Sequence, residues 1–118
     1  MNFDPIQAVE TLRENARQIQ KLGEELEDKR NKYIVAYATF LDSEQEARRK
    51  IFEKEVEMPV SSQREWIKYQ TFPEFTIYEQ LKEQIKVMTE RLSILIESNN
   101  SLKAAHRIVE MEAKHLNL

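Results

Sequence analysis

Cysteine is absent, glycine occurs once (Gly23) and proline three times, at Pro5, Pro59 and Pro73. The missing cysteine excludes disulfides, a thiolate nucleophile and thiolate metal ligands, and is compatible with a reducing cytoplasm. β-Architectures need tight turns, and tight turns draw on Gly, Pro, Asn and Asp. A chain this short of glycine and proline has few such turns, which argues against strands. Aromatic residues are 8% of the chain, little for a compact core, so burial has to be completed by helix pairing or self-association. Long apolar runs are missing as well. "ILI" at 94–96 is far below the roughly 20 residues needed to span a membrane. "MNFDPIQAVE" shows no basic segment followed by an apolar one, so no signal peptide is expected and a cytoplasmic location is. The net charge of −3 makes the global field mildly repulsive to nucleic acid, leaving only a local basic face for such a contact.

What the chain has in abundance is helix-forming charge: 33% Asp, Glu, Lys and Arg in 118 residues, the length of one domain. Asp4-Pro5 reads as an N-cap followed by proline in the first helical position. From there Val9, Leu12, Ala16, Ile19, Gly23, Leu26, Arg30, Tyr33, Tyr37 and Phe40 alternate at three- and four-residue steps. That is a coiled-coil heptad seam, weakened at Gly23 and Arg30, and it predicts an N-terminal helix over 4–41. "LDSEQEARRKIFEKEVEMP" then resets the phase. Ser43 with Glu46 forms a capping box, predicting a charged helix over 43–57 with Ala47, Ile51 and Phe52 inward. Residues 58–76 read as a broken connector holding one short helix, opened by Ser62 and Glu65 and ended by "TFPEFT". Thr71/Glu74 and Thr76/Glu79 both fit a further box, so a last helix is expected over 77–116.

That last segment is the most regular. Tyr78, Leu81, Ile85, Met88, Leu92, Leu95, Asn99, Leu102, His106, Val109, Ala113 and Leu116 keep the alternation without a slip, and Ile94, Ile96 and Ile108 broaden it. A helix of this length, roughly 60 Å, cannot bury such a face alone. It must pack on the first helix as a hairpin, on copies of itself, or on both. The expected fold is therefore all-α, with long coiled-coil-like helices in a hairpin arrangement, a broken middle and homo-oligomeric assembly. Leu81, Ile85, Met88, Leu92, Leu95, Asn99, Leu102, His106 and Val109 are the candidate self-association residues.

Catalytic signals are lacking. His106 and His115 are nine residues apart and fall on nearly opposite helix faces, so they make no metal-binding pair. No glycine-rich phosphate loop and no Ser/His/Asp grouping stands out, and the carboxylates interleave with Lys and Arg as on solvated helix faces. Neither an enzyme, a metal nor a cofactor is expected. Asn99 and His106 sit in the seam at equivalent heptad positions. They are either a buried polar network or ligand contact, or polar residues that fix register and oligomer state at a cost in stability. Arg48, Arg49, Lys50 and Lys54 cluster in the middle, followed by Arg64 and Lys68 with Trp66 and Tyr69 interleaved. Basic groups beside aromatics suit single-stranded nucleic acid, through phosphate neutralisation and base stacking. The bland alternative is a solvated face balanced by Glu44, Glu46, Glu53, Glu55 and Glu57. Repetition around an oligomer would turn a weak basic stripe into a continuous track.

The order of these parts resembles the UvsY-type recombination mediators of T-even-type phages. The resemblance runs over about residues 20–116: a first helix entering "AYATFL", a charged "SEQEARRKIFEKE", a broken middle and a long closing helix. "AAHRIVEM" at 104–111 is similar to the family's closing stretch at Ala104, Ile108 and Met111. The resemblance implies a ring-like homo-oligomer held by C-terminal helices, working in the host cytoplasm if phage-encoded. It also implies binding of single-stranded DNA, with a recombinase and a single-strand-binding protein as partners and no catalysis. The family's DNA contacts in the central helical region fall here on Arg48, Arg49, Lys50 and Lys54, with Arg64 and Lys68 following beyond the "MPVSS" loop. A rival reading needs no nucleic acid: a helical-hairpin scaffold, assembly chaperone or inhibitor that grips a protein partner through its apolar seam. From the seam, Asn99→Leu is expected to raise the melting temperature while changing the subunit number measured by light scattering. An unchanged oligomer would show that Asn99 does not set register.

Overall fold

The computed structural model describes residues 4–116 of the chain; the side chain of Leu116, which the heptad pattern puts at the end of the seam, lies outside that description. The fold is all-α, a helical hairpin. α1 runs over Pro5–Phe52 and α2 over Val60–Leu116, joined by residues 53–59, with no strand among the described residues. None of the described helices is long and apolar enough to cross a membrane.

α1 starts where Asp4-Pro5 predicts. The Asp4 carboxylate accepts from the Ile6 N–H at 2.9 Å and the Gln7 N–H at 3.4 Å, and the Asp4 carbonyl accepts from Ala8 N–H at 2.9 Å. The expected break at Ser43 does not occur. Ser43 is half-buried inside α1, and Glu46 turns to Arg49 instead of back to a cap. The reason lies in the phase of the burial. Ala8, Leu12, Asn15, Ile19, Leu22, Leu26, Lys29, Tyr33, Ala36, Phe40, Ser43 and Ala47 form one unbroken series of buried or half-buried positions. It shares Leu12, Ile19, Leu26, Tyr33 and Phe40 with the expected seam, but takes the residue before Val9, Ala16, Gly23, Arg30 and Tyr37 at the alternate steps. With that phase no reset is needed at residue 43. Phe52, expected inward, is instead 88% exposed.

α1 ends by a backbone device. Lys54 takes a left-handed conformation (φ 58°), its N–H donates to the Ile51 carbonyl at 3.1 Å, and the Glu55 N–H donates to the Lys50 carbonyl at 2.9 Å. This pair of reverse bonds satisfies carbonyls of the last turn, a role glycine usually fills because it lacks a Cβ.

α2 also runs through its expected break. Pro73 cannot donate to the carbonyl of Tyr69, a loss that costs about 3 kcal/mol in a helix interior. It sits on the exposed side, where that carbonyl can meet water. The threonines that matched capping boxes act inside the helix. Thr71 Oγ1 donates to the Ile67 carbonyl and Thr76 Oγ1 to the Phe72 carbonyl, each at 2.8 Å. The Ser62 box is not used either, because α2 has already begun at Val60 and Glu65 faces Lys68.

The chain divides into two compact units, each taking a stretch of both helices. In the unit formed by residues 27–86, Tyr33, Tyr37 and Phe40 of α1 meet Phe75 and Tyr78 of α2. The Tyr78 ring is central, with centroids 6.2, 5.5, 5.0 and 5.2 Å from Tyr33, Tyr37, Phe40 and Phe75. Such edge-on and tilted ring pairs add about 0.5–1.5 kcal/mol each beyond area burial, enough together to offset Pro73, which lies just upstream of Phe75 and Tyr78. Burial, helped by the neighbouring Glu79 charge, pushes the Tyr78 phenol above its ordinary pKa. In the other unit, residues up to 26 with those from 87 on, Ala8, Leu22 and Leu26 are buried and Leu92, Leu95 and Leu102 half-buried.

Gly23 lies in the interior of α1 with an ordinary φ, and a Cβ there would meet nothing within 4 Å. Gly23→Ala should therefore stabilise the protein by about 1 kcal/mol, and Lys54→Gly by a similar amount through relief of the left-handed strain. The two sites are remote, so thermal melts of the double variant should give the sum.

Candidate nucleic-acid interface and self-association faces

The six basic candidates lie around the connection between the helices: Arg48, Arg49 and Lys50 in the last turns of α1, Lys54 in the connection itself, and Arg64 and Lys68 in the first turns of α2. They are not equivalent. Arg48 pairs with Glu44 at 3.0 Å, and Lys68 approaches Glu65 at 3.8 Å. Arg49 is the most engaged: it bonds Glu46 through Nε at 2.9 Å and Nη2 at 2.5 Å, reaches Glu55 at 3.0 Å, and also binds Glu53. Two of those carboxylates stand beyond the end of α1, so Arg49 ties the turn after the helix back onto its last coil. The hydrogen bonds to Glu46 and Glu55 raise the already high Arg49 pKa. The Arg49 hydrogen bond holds Glu46 below the usual carboxylate range. Lys50, Lys54 and Arg64 have no ion-pair partner among the described residues.

The aromatic part of the stripe is redistributed. Tyr69 is 78% exposed, as stacking would require, whereas Trp66 is half-buried. Phe52 and Phe72 add two open rings that the sequence pattern did not assign to this face. The signal for Phe72 is spacing: Arg64, Lys68 and Phe72 are successive four-residue steps and share one side of α2.

The candidate self-association residues lie on the other side of the question. Leu81, Ile85, Met88, Leu92, Leu95, Leu102, His106 and Val109 are half-buried and Asn99 is 6% exposed, all within the single chain. α1 of the same chain therefore already covers much of this seam. Asn99 Oδ1 is buried with no hydrogen-bond partner, an arrangement that costs about 1–3 kcal/mol. His106 Nδ1 stands 3.6 Å from Glu110 one turn on, a local pair. In the second half of α2, Val87, Ile94, Ile96, Ile108 and Met111 stay open, with exposed Ser101 and Ala104 among them. Ser101, Ala104, Ile108 and Met111 repeat the three-four alternation on the back of the helix. Three of these, Ala104, Ile108 and Met111, are the positions on which the "AAHRIVEM" resemblance rests.

Among the described residues no group of three or more His, Asp or Glu is placed to hold a metal. No family model, curated protein or solved structure matches the chain.

The Arg49 clamp yields a pH-dependent expectation. A carboxyl whose folded pKa is depressed stabilises the fold above its unfolded value and loses that contribution as pH falls through the lower folded value. Arg49→Met should therefore lower the melting temperature at neutral pH. The difference from the parent chain should shrink once pH drops below the ordinary glutamate range. A difference independent of pH would remove the clamp from the account.

Proposed function

We propose that this chain works without catalysis, as a self-assembling helical protein whose copies associate through the open side of α2. The observation that carries this reading is uncovered apolar surface. Only Ala8, Leu22, Leu26 and Ala47 among the chain's described apolar residues are buried, and none completely, while Ile94, Ile108 and Met111 lie open in the unit that holds the end of α2. Apolar rows at helical spacing gain roughly 25 cal/mol per Å² when another helix covers them. Ile108→Glu with Met111→Glu should lower the mass measured by sedimentation equilibrium while leaving helicity unchanged. Equal masses across a wide concentration range would contradict the reading.

A second reading adds single-stranded DNA as the ligand, with the mediator role, the recombinase and the single-strand-binding protein that the UvsY-type resemblance implies. What favours it is that Lys50, Lys54 and Arg64, without ion-pair partners among the described residues, and the open rings of Phe52, Tyr69 and Phe72 all occur near the turn between the helices. The reading divides the basic residues by role. Lys50, Lys54 and Arg64 contact phosphate, Arg48 and Lys68 contribute once released from their glutamates, and Arg49 holds the turn. In fluorescence anisotropy with a short oligonucleotide, affinity should fall steeply with salt. Replacing Lys50, Lys54 and Arg64 by alanine should flatten the log–log salt slope by about 2, at about 0.7 per phosphate contact. Absence of binding at low salt by the assembled protein would leave the scaffold or chaperone alternative, which predicts a stable protein partner and indifference to these charges.

A further inference from the structure

The unit formed by residues 27–86 carries a groove of about 560 Å³ that none of the faces above uses. Half-buried Ala36 lies in it, and Val35 and Ile77 line it while standing 66% and 54% exposed. Lys32 and Glu74 also line it. Glu74 Oε2 is buried, with no hydrogen-bond donor among the described residues. A carboxylate oxygen shielded from water without a donor is costly, so the Glu74 carboxylate gains by turning out to a donor at the groove.

The placement of these residues has a symmetry. Ring contacts put Tyr37 level with Tyr78 and Phe40 level with Phe75 in the antiparallel pair. At 1.5 Å per residue, Lys32 then lies roughly 7 Å to one side of the Ala36 level and Glu74 roughly the same distance to the other. Val35 and Ile77 are likewise disposed about that level, closer in. A two-fold axis across the groove at Ala36 would bring Lys32 of one copy level with Glu74 of the other, twice. It would also bring each Val35 level with the other copy's Ile77. Self-complementarity of this kind is what an isologous contact requires.

We infer that this groove is a dimer interface that receives the same groove of a second, antiparallel copy, with Lys32 of each copy donating to Glu74 of the other. The inference rests on the self-assembly reading and adds to it a second contact, separate from the back of α2. Lys32 now pairs with Asp28 at 3.0 Å, an exposed one-turn pair that gives little up when the lysine turns away. Val35 and Ile77 supply the apolar area, and the small Ala36 leaves room for the opposing side chains.

Charge reversal on the full-length chain tests it. Lys32→Glu and Glu74→Lys should each weaken association about tenfold or more by sedimentation velocity, because each homodimer then sets like charges together twice. Helicity should not change. An equimolar mixture of the two variants should recover the parent affinity, since the mixed dimer has two opposite-charge contacts. The double variant should recover it as well. A mixture that associates no better than its components would overturn the groove interface, as would single variants that associate like the parent chain. In both cases the reading based on the back of α2 would stand. A parent chain that stays monomeric at every concentration would overturn that reading, and this inference with it.

Discussion

A pair of helices can bury one stripe of each partner and no more, and the alternating seam of α1 against α2 is where this chain uses that capacity. The seam is poor by the standard of a compact core. It includes Asn15, Lys29, Ser43, Thr71 and Asn99 among its buried or half-buried positions. Polar groups at these positions weaken the pairing but forbid sliding, because a shift by one heptad would set Asn99 or Lys29 against a different apolar neighbour. The constraint then propagates outward. Whatever apolar side chain falls outside the seam has no cover within the chain.

The aromatic cluster is the strongest part of the unit that holds it, and it explains a local feature that propensity opposes. Pro73 disfavours a continuous helix, yet Phe75 and Tyr78 follow it directly and their rings are locked against Tyr33, Tyr37 and Phe40. Breaking α2 at 71–76 would rotate those rings away from α1. Tertiary packing outweighs a single missing hydrogen bond, and the helix continues with Thr71 and Thr76 bonding backward along it.

Charge at the turn between the helices has a structural role before any binding role. Arg49 gathers Glu46, Glu53 and Glu55, which fastens the end of α1 and removes one cation from the face that a polyanion would meet. What remains there is three unpaired basic groups and three open rings. That is a modest site in one copy, and it becomes substantial only where copies repeat it side by side. Assembly and binding are thus coupled in this reading: the same shortage of buried surface that calls for further copies would also multiply the basic stripe.

The sequence by itself determined the helix class, the Asp4 start, an interruption at Pro59 and the three-four spacing of both helices, because each follows from local chemistry or from the periodicity of apolar residues. It carried the charged helix to 57 and the connector to 76, whereas α1 ends at Phe52 and α2 begins at Val60. It also marked Asn99 as a polar residue in an apolar row. Only the tertiary structure decided which neighbour in each adjacent pair faces inward: Ala8 over Val9, Leu22 over Gly23, Ala36 over Tyr37. Both choices satisfy a heptad, and hydrophobicity favours the wrong one at Val9 and Tyr37. Consecutive helical residues point about 100° apart, so the choice is made by the shape of the opposing helix. Where Tyr78 and Phe75 need space, the small Ala36 turns in and Tyr37 moves to the edge. The same ring packing carries α2 across Pro73, and the same choice of phase carries α1 across Ser43. It also leaves Val35, Ile77, Ile94 and Ile108 without cover, a result that no local pattern of residues contains.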